Sequence, residues 1–429
     1  MKKKYRIILY TSIFLLCVVA SIILVVKKSN SVYEEESKPK VVKHKSMLSM
    51  NLEQTAGAGD YKTVTQSSWP TEGYKFNAEL SKCENGSTLS WDDTKKAVIV
   101  SGNLSDKCYV YFDIYQPTLA EYIKSQYTGT QGENNIYYHD SDLANGAGDN
   151  SYRYAGANPN NFVCFGTTES PCPTDNLYRI IGVFGENYHG VTGKQLVKLI
   201  KYDYMTKDEL GTDGDYSQTY KEWGMDSTYK GTYGDGERIG VYYWNYKATG
   251  SATNTWSTSL LNKTNLNTNF INNIGTTWAN KIATVTWKVG GNTSANISDV
   301  VPATTYQNEI VNPVTTNTTD NAIEYSAKIG LMYVSDYGFA ASPDAWTLTM
   351  SSYNNTTATN NNWMYMGLYE WAISRDADRS YCAFGVYGDG RVDYSGVNNG
   401  YGVRASFSLE SSVSYVSGSG SMSDPIVIN

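Results

Sequence analysis

The sequence contains little histidine, and this scarcity argues against a metal centre. Only three histidines occur among the 429 residues, His44, His139 and His189. A zinc site usually combines cysteines of CxxC spacing with histidines a few residues apart, and neither spacing occurs here. We therefore expect no bound metal.

Common nucleotide and hydrolase motifs are also missing. The chain has no GxxxxGK[ST] phosphate loop and no GxSxG nucleophile elbow, although a Ser-His-Asp triad without that elbow stays open. Gly-Asp-Gly segments at residues 234–236 and 388–390 are typical of hairpin turns between strands rather than of phosphate loops. We expect no cofactor.

Basic residues are too few outside the amino terminus to favour a nucleic-acid partner. The chain has 35 Lys and Arg against 42 Asp and Glu, a net charge of −7. Residues 1–45 contain ten Lys or Arg and three Glu, a net charge of +7, so residues 46–429 carry −14. Because phosphate contact needs a basic face, we expect no nucleic-acid partner.

One uncharged run is long enough to cross a membrane. It extends from Ile7 to Val26, with four basic residues before it and two lysines after it. About 20 apolar residues span the hydrocarbon core, and a cleaved signal peptide has a shorter core and small residues at its exit. Residues 1–28 are therefore predicted to form a cytoplasmic tail and an uncleaved signal anchor, with the bulk of the chain extracellular. Cleavage of the anchor is the alternative.

The six cysteines allow two local disulfide bonds. Cys83 and Cys108 flank a hairpin-like segment, and Cys164 and Cys172 close a short loop. Such local pairs in an exported protein are typical of disulfides. Of the other two cysteines, one lies in the predicted anchor, and Cys382 is expected to be buried on a strand rather than reactive.

Tyrosine is far more frequent than phenylalanine, with 37 residues against 10. A Tyr ring with its polar tip suits a binding surface, but Tyr also favours strands, so an ordinary β-rich exported protein stays open. Short alternating runs predict a small disulfide-closed β module at residues 61–114, after a stalk at residues 29–60 that lacks an apolar period. Residues 115–429 then form the larger domain.

Local signals in the larger domain predict a mixed α+β fold. Thr118 and Glu121 form a capping-box pattern before an apolar helical face. Residues 176–184 and 195–201 are strong strand runs, and residues 256–282 have helical spacing.

The segment at residues 371–407 carries the candidate binding surface. Its strands are interrupted by turns rich in Tyr, Asp, Arg and Asn. We expect Trp371, Phe384 and Arg404 to belong to the framework. The predicted ligand-binding residues are Tyr387, Asp389, Arg391, Asp393, Tyr394, Asn398, Asn399 and Tyr401.

Acidic clusters in the chain are more typical of turns than of catalysis or calcium binding. Asp376 with Asp378, or Asp389 with Asp393, could pair for acid–base chemistry, but carboxylates on short loops usually cap turns. Residues 140–146 resemble a calcium loop, yet the fifth and sixth positions hold Ala and Asn instead of a ligand and Gly. We therefore predict no catalytic residues.

Four motifs carry a resemblance to a known domain family. They are Leu177-Tyr-Arg-Ile-Ile-Gly182, a W-x-x-S-x-L-x-x-x-x-L-N-x-x-F pattern beginning at Trp256, residues 363–375, and Gly402-Val-Arg-Ala-Ser-Phe407. On these motifs, residues 176–409 resemble an uncharacterised domain family of exported proteins from Gram-positive and related gut bacteria. That family is similar to the formylglycine-generating-enzyme and C-type-lectin-like fold.

The resemblance implies a lectin-like (sulfatase-modifying-factor-like) α+β domain, framed by Glu370-Trp371 and by Gly402-Val-Arg404. Formylglycine-generating enzymes use a pair of active-site cysteines that bind copper. This chain has a lone Cys382 late in the sequence, and Cys164 and Cys172 are expected to be paired in a loop upstream, so the oxidase chemistry is not carried over. Some lectin-like relatives bind ligands through carboxyl-terminal residues, which is compatible with the crowding of polar and aromatic residues at 387–401.

Together these features predict a membrane-anchored bacterial cell-surface protein that binds a glycan or a surface protein through its lectin-like domain. One alternative is a formylglycine-generating-like or cell-wall-active enzyme. Another is a structural component of the envelope.

Overall fold

The chain forms a mixed structure in two compact units. The computed structural model describes residues 48–65, 68–70, 73–103, 105–313 and 323–429. With 21% helix and 32% strand, mostly in β-sheets, it confirms the predicted α+β class. The units are Met1–Tyr115 and Gln116–Asn429. The predicted tail and anchor, residues 1–28, lie outside the described residues, and no helix among the described residues has the length and apolar character to cross a membrane.

The first unit is a small β module. Its main sheet has the strand order β2-β1-β6-β3, and β4 and β5 form a separate hairpin. In that sheet β1 and β6 run parallel, whereas the other neighbours are antiparallel. The strands are β1 Leu48–Glu53, β2 Tyr61–Val64, β3 Tyr74–Cys83, β4 Thr88–Asp92, β5 Ala97–Ser101 and β6 Cys108–Ile114.

Strand β1 corrects the predicted stalk at residues 29–60. Apolar and polar residues alternate along it, and Met50 and Leu52 are buried against Val110 and Phe112. An alternation of only three apolar residues is a weak strand signal on its own. Its pairing with β2 and β6 places it in the sheet, so the first unit begins before residue 61. Residues 29–47 lie outside the described residues.

Both predicted disulfide bonds are present. Cys83 and Cys108 are bonded between register partners on β3 and β6. Cys164 and Cys172 close a loop in the second unit. Cys382 is buried on a strand and unbonded, as predicted.

The second unit holds several sheets around one large core. The largest sheet has the order β16-β21-β11-β10-β8-β7, with β9 paired to β10. Smaller sheets are β12-β13-β20, β17-β18-β19, β14-β15 and β22-β23. The strands are β7 Ile136–His139, β8 Ser151–Tyr154, β9 Phe162–Cys164, β10 Leu177–Phe184, β11 Leu196–Lys201, β12 Tyr216–Thr219, β13 Gly240–Tyr243, β14 Val285–Lys288, β15 Glu324–Ala327, β16 Ile329–Gly330, β17 Glu370–Arg375, β18 Cys382–Val386, β19 Val392–Gly396, β20 Gly400–Tyr401, β21 Ser406–Ser408, β22 Tyr415–Ser417 and β23 Val427–Ile428.

The helices of the second unit are short. The predicted capping box is confirmed: Thr118 Oγ1 accepts from the Glu121 N–H, and the Glu121 carboxylate accepts from the Thr118 N–H. The described α-helices are Leu119–Ser125, Glu186–His189, Lys207–Leu210, Tyr220–Trp223, Ile271–Ala279, Ser294–Ile297, Pro302–Tyr306, Val334–Phe339 and Thr356–Asn360; π-helical turns cover Leu261–Phe270 and Gln307–Val311, and 3₁₀ turns cover Glu133–Asn135, Thr174–Asn176, Trp256–Thr258, Pro343–Ala345 and Met350–Ser352.

The predicted framework residues lie in the core. Trp371, Phe384 and Arg404 are all buried. The two segments expected to frame this domain, Glu370-Trp371 and Gly402-Val-Arg404, meet at a bridge between Glu370 and Gly402, and β21 begins at Ser406.

Candidate functional site

The turn between β18 and β19 carries several of the predicted ligand-binding residues. Asp389 is exposed and accepts hydrogen bonds from the backbone N–H and the Nη1 of Arg391, at 3.1 and 3.2 Å. The Arg391 guanidinium lies 4.8 Å from the ring centroid of Tyr387, and its Nε lies 3.8 Å from the Asp393 carboxylate. These four side chains form one polar cluster that is open to solvent.

Tyr394, Asn398 and Asn399 extend this surface. Tyr394 is exposed, and the guanidinium of Arg379 lies 4.0 Å from its ring centroid. Asn398 and Asn399 are exposed in the turn after β19. We call Tyr387, Asp389, Arg391, Asp393, Tyr394, Asn398 and Asn399 the turn surface.

Tyr401 lies beneath the turn surface. Only 6% of it is exposed, and its hydroxyl donates to Ser395 Oγ at 2.9 Å. Its ring centroid lies 4.4 Å from that of Trp371 and 5.1 Å from that of Tyr369. In the structure, Tyr401 therefore packs the framework and offers little surface to a ligand.

The turn surface adjoins a cleft. The carbonyl of Gly388 accepts from the hydroxyl of Tyr365 at 2.6 Å. In the same turn, the carbonyl of Gly390 accepts from the hydroxyl of Tyr337 at 2.7 Å. Because Tyr365 also forms part of the cleft wall, the two features meet at this side chain.

The cleft has a volume of about 480 Å³, within the range of small-molecule sites. Its walls come from the loop between β8 and β9, from the first residue of β9, from β10, from the residue after β11, from the loop before β13, from residues 360–366 and from Met422. Its aromatic walls are Phe162, Tyr202, Trp363 and Tyr365.

The aromatic walls are held rigidly. Trp363 is buried, and its Nε1 donates to the carbonyl of Tyr154 at 2.8 Å. The rings of Phe162 and Tyr202 meet edge to face, with centroids 5.3 Å apart. These contacts fix the positions of the aromatic rings that line the cleft.

Arg179 is the charged side chain at the cleft wall on β10. It is 5% exposed, and its guanidinium lies 4.3 Å from the ring centroid of Phe162 and 4.6 Å from that of Trp363. Its Nε donates to Asn161 Oδ1 at 2.7 Å, and its Nη2 donates to the Pro159 carbonyl at 3.0 Å. Burial lowers the pKa of Arg179 to about 9, which leaves it protonated at neutral pH. Within the described residues, no Asp or Glu forms an ion pair with it.

Polar groups complete the cleft rim. Lys230 donates from Nζ to the Thr359 carbonyl at 3.2 Å and lies 4.5 Å from the ring centroid of Tyr365. Asn158, Asn160 and Asn360 are exposed, and their side chains have no hydrogen-bond partner among the described residues. These amides are available to a ligand as both donors and acceptors.

The cleft is not predicted from the sequence. Two weak signals point to it: an Asn-Pro-Asn-Asn-Phe run at residues 158–162 and an Asn-Asn-Asn-Trp run at residues 360–363. A third is the charge of Arg179 inside an otherwise apolar strand run. None of these signals indicates that residues so far apart in sequence share one wall.

The surroundings of the histidines and cysteines in the second unit indicate structural roles. Burial lowers the pKa values of His139 and His189, and the Nδ1 of each accepts a backbone N–H. Burial also raises the pKa of Cys382 to about 11, so its thiol is protonated at neutral pH. Cys164 and Cys172 are bonded to each other.

In the described part of the chain, aspartate side chains of the acidic loops accept hydrogen bonds from nearby backbone N–H groups, as in turns. Asp140 Oδ1 accepts from the backbone N–H groups of Asp142 and Leu143, and Asp376 Oδ1 accepts from that of Asp378. Among the described residues, no group of three or more His, Cys, Asp or Glu side chains is arranged to hold a metal ion.

No family profile, curated protein or solved structure matches the chain. The cleft and the turn surface themselves are therefore the basis for inferring a function.

Proposed function

We propose that the protein is a membrane-anchored bacterial cell-surface binding protein, and that Gln116–Asn429 is its lectin-like ligand-binding domain with a glycan as the preferred ligand. One observation carries this proposal: the cleft combines rigid aromatic walls with unpaired amides at its rim. Aromatic rings pack against the apolar faces of sugars, and amides hydrogen-bond their hydroxyls. Such a site suits a short oligosaccharide.

A binding role fits the cleft better than glycoside hydrolysis. Most glycoside hydrolases place two carboxylates on either side of the scissile bond. The described residues that line the cleft include Arg179 and Lys230 but no Asp or Glu. A bound sugar would therefore meet hydrogen-bonding groups and rings without an acid–base pair.

A surface protein is the second candidate ligand, because the turn surface is aromatic and exposed. Tyr394 is 36% exposed, and Tyr381, directly before β18, is 58% exposed. Exposed Tyr with neighbouring Arg and Asn is typical of protein-binding surfaces. A glycan held in the cleft could also extend onto this surface past Tyr365.

The enzyme alternative has weaker support. A reaction of the formylglycine-generating type needs two reactive thiols, and the cysteines of the second unit are one bonded pair and one buried, protonated thiol. The anchor at residues 7–26 and an extracellular position remain part of the proposal, on the grounds of the uncharged run and the disulfides.

An array of glycans and bacterial surface proteins, probed with the full-length protein, tests this proposal. We expect saturable binding to a subset of glycans, with about tenfold weaker binding after Asn158→Ala with Asn360→Ala, since two ligand hydrogen bonds are lost. Asn272→Ala with Asn273→Ala is the matched control, because both residues are exposed on the helix Ile271–Ala279.

The outcomes separate the candidates. Binding that is lost with Tyr387→Ala but retained in the Asn158 and Asn360 variant would favour a protein ligand on the turn surface. A complete absence of saturable ligands would favour a structural role in the envelope and would contradict the proposal.

A further inference from the structure

Arg179 is buried without a counter-charge. Two other buried arginines of the second unit have carboxylate partners: Arg404 pairs with Glu370 at 2.8 Å, and Arg153 pairs with Asp149 at 2.7 Å. Arg375 is also buried and has no ion pair among the described residues, but it does not line the cleft. The partners of Arg179 among the described residues are an amide oxygen and two backbone carbonyls, which are all neutral. Burying a cation without an opposite charge is unfavourable, so this arrangement is stabilised if an anion enters the cleft.

The guanidinium is also held in one orientation by its neighbours. Asn161, which accepts from its Nε, is itself fixed because its Nδ2 donates to the Ile180 carbonyl at 2.8 Å. Rings of Phe162 and Trp363 lie within 5 Å of the guanidinium carbon. Three of the five N–H groups of Arg179 donate to the neutral acceptors, which leaves two N–H groups on its terminal nitrogens for a ligand.

A second cation lies on the same cleft. Lys230 is exposed at the rim. In the described part of the chain the partners of its amine are one carbonyl and one ring, which are neutral like the partners of Arg179. No Asp or Glu is among the described lining residues. The cleft is therefore positive in a chain whose net charge is −7.

We propose that the cleft selects acidic glycans, with the carboxylate of a sugar acid bound by Arg179 and assisted by Lys230. This inference rests on the proposed glycan-binding function and adds the class of glycan. A planar guanidinium fork matches the two oxygens of a carboxylate. Nucleic acid is disfavoured as the ligand because residues outside the amino terminus carry a net charge of −14.

Matched pairs of glycans test this inference on the full-length protein. The probes are sialyllactose against lactose, and oligogalacturonate against its carboxyl-reduced counterpart, together with a phosphorylated mannan. Where the protein binds a pair of probes, we expect the acidic member to bind about 10- to 100-fold more tightly than the neutral one. This difference is the size of the contribution that a hydrogen bond to a charged group makes. The difference should shrink as the salt concentration rises.

Two variants assign the preference to the cleft. Lys230→Met should reduce binding of the acidic member several-fold, and Lys263→Met is the control because it removes the same charge at an exposed position outside the cleft. Arg179→Lys keeps the charge but loses the fork, so it should remove most of the preference for the acidic member. A thermal unfolding curve shows whether this variant is folded; if it is not, Lys230→Met and the glycan pairs decide.

Three outcomes would overturn the inference in whole or in part. Equal binding of acidic and neutral members would overturn the acidic-glycan inference and leave the proposed function intact. Stronger binding of the phosphorylated mannan than of either sugar acid would overturn the carboxylate assignment. An absence of binding to every glycan would overturn the inference together with the proposed function.

Discussion

The guanidinium of Arg404 lies 2.8 Å from the carboxylate of Glu370, and both side chains are buried in the second unit. Arg404 also donates from Nη2 to the Met364 carbonyl at 2.7 Å, next to Trp363 in the cleft wall. Burial raises the pKa of Glu370, and the charge of Arg404 opposes that rise. The pair thus joins β17 to the segment that forms one wall of the cleft.

Removing one partner of this pair should be more damaging than removing both. Arg404→Met leaves the Glu370 carboxylate buried without its partner, and we expect the free energy of unfolding to fall by about 3–5 kcal/mol. Arg404→Met combined with Glu370→Leu should recover part of that loss. Denaturant unfolding of the single and double variants measures the coupling. A single variant as stable as the unmodified protein would contradict a framework role for the pair.

Tyr401 should behave as a framework residue. Tyr401→Ala removes a ring that packs on Trp371, so we expect a loss of about 3–5 kcal/mol in the free energy of unfolding. Tyr401→Phe removes only the hydrogen bond to Ser395 and should cost about 1 kcal/mol. Asn398→Ala, at an exposed position of the turn surface, is the control and should change stability by less than about 0.5 kcal/mol. Unchanged stability of Tyr401→Ala would return this residue to the candidate binding surface.

Local patterns were sufficient to predict much of the fold. The capping box at Thr118 and the strand β10 depend on spacings within a few residues, which sequence reveals directly. The disulfide pairs are likewise close in sequence. Strand β1 was missed because its position depends on β2 and β6, and β6 lies about sixty residues away.

The candidate site was only partly predictable, because part of it depends on contacts between residues that are far apart in sequence. Hairpin-turn signals located the turn surface, since a turn is a local structure. Residue type alone did not separate Tyr387 from Tyr401, because burial depends on the neighbours that the fold supplies. The cleft brings Asn158 together with Asn360 across about two hundred residues. No local pattern in the sequence indicates that these two residues line the same cleft.

The Cys83–Cys108 disulfide should stabilise the first unit specifically. It closes a segment of 25 residues, and replacing both cysteines by Ser should lower the free energy of unfolding of this unit by about 3 kcal/mol. We expect faster amide hydrogen exchange in β3 and β6, which the bond connects. Amides of β10 and β11 in the second unit are the internal reference and should keep their exchange rates. Unchanged exchange in β3 and β6 would contradict this role.

Glu309 should make the stability of the second unit depend on pH. Its buried carboxylate accepts from the backbone N–H groups of Val334 and Ser335, at 3.1 and 3.0 Å, and from the hydroxyl of Ser374. Burial nevertheless raises its pKa from 4.5 to about 7. Between these values the folded protein binds a proton that the unfolded chain has released. The stabilisation of the folded state by protonated Glu309 is therefore complete below pH 4.5 and is lost as the pH rises through 7.

The size of this effect can be isolated with Glu309→Gln, which cannot titrate. A pKa shift from 4.5 to about 7 corresponds to about 3 kcal/mol, so the difference in unfolding free energy between the two proteins should change by roughly that amount between pH 4.5 and pH 8. The comparison is needed because other groups also make the stability depend on pH. The pKa of Asp376 is also raised to about 7, so its contribution falls as the pH rises, as that of Glu309 does. The lowered pKa of His139 makes its contribution rise with pH. Asp376→Asn is the control, since it should leave the contribution of Glu309 in place. A difference between the unmodified protein and Glu309→Gln that stays constant across this range would show that Glu309 keeps an ordinary pKa in the folded state.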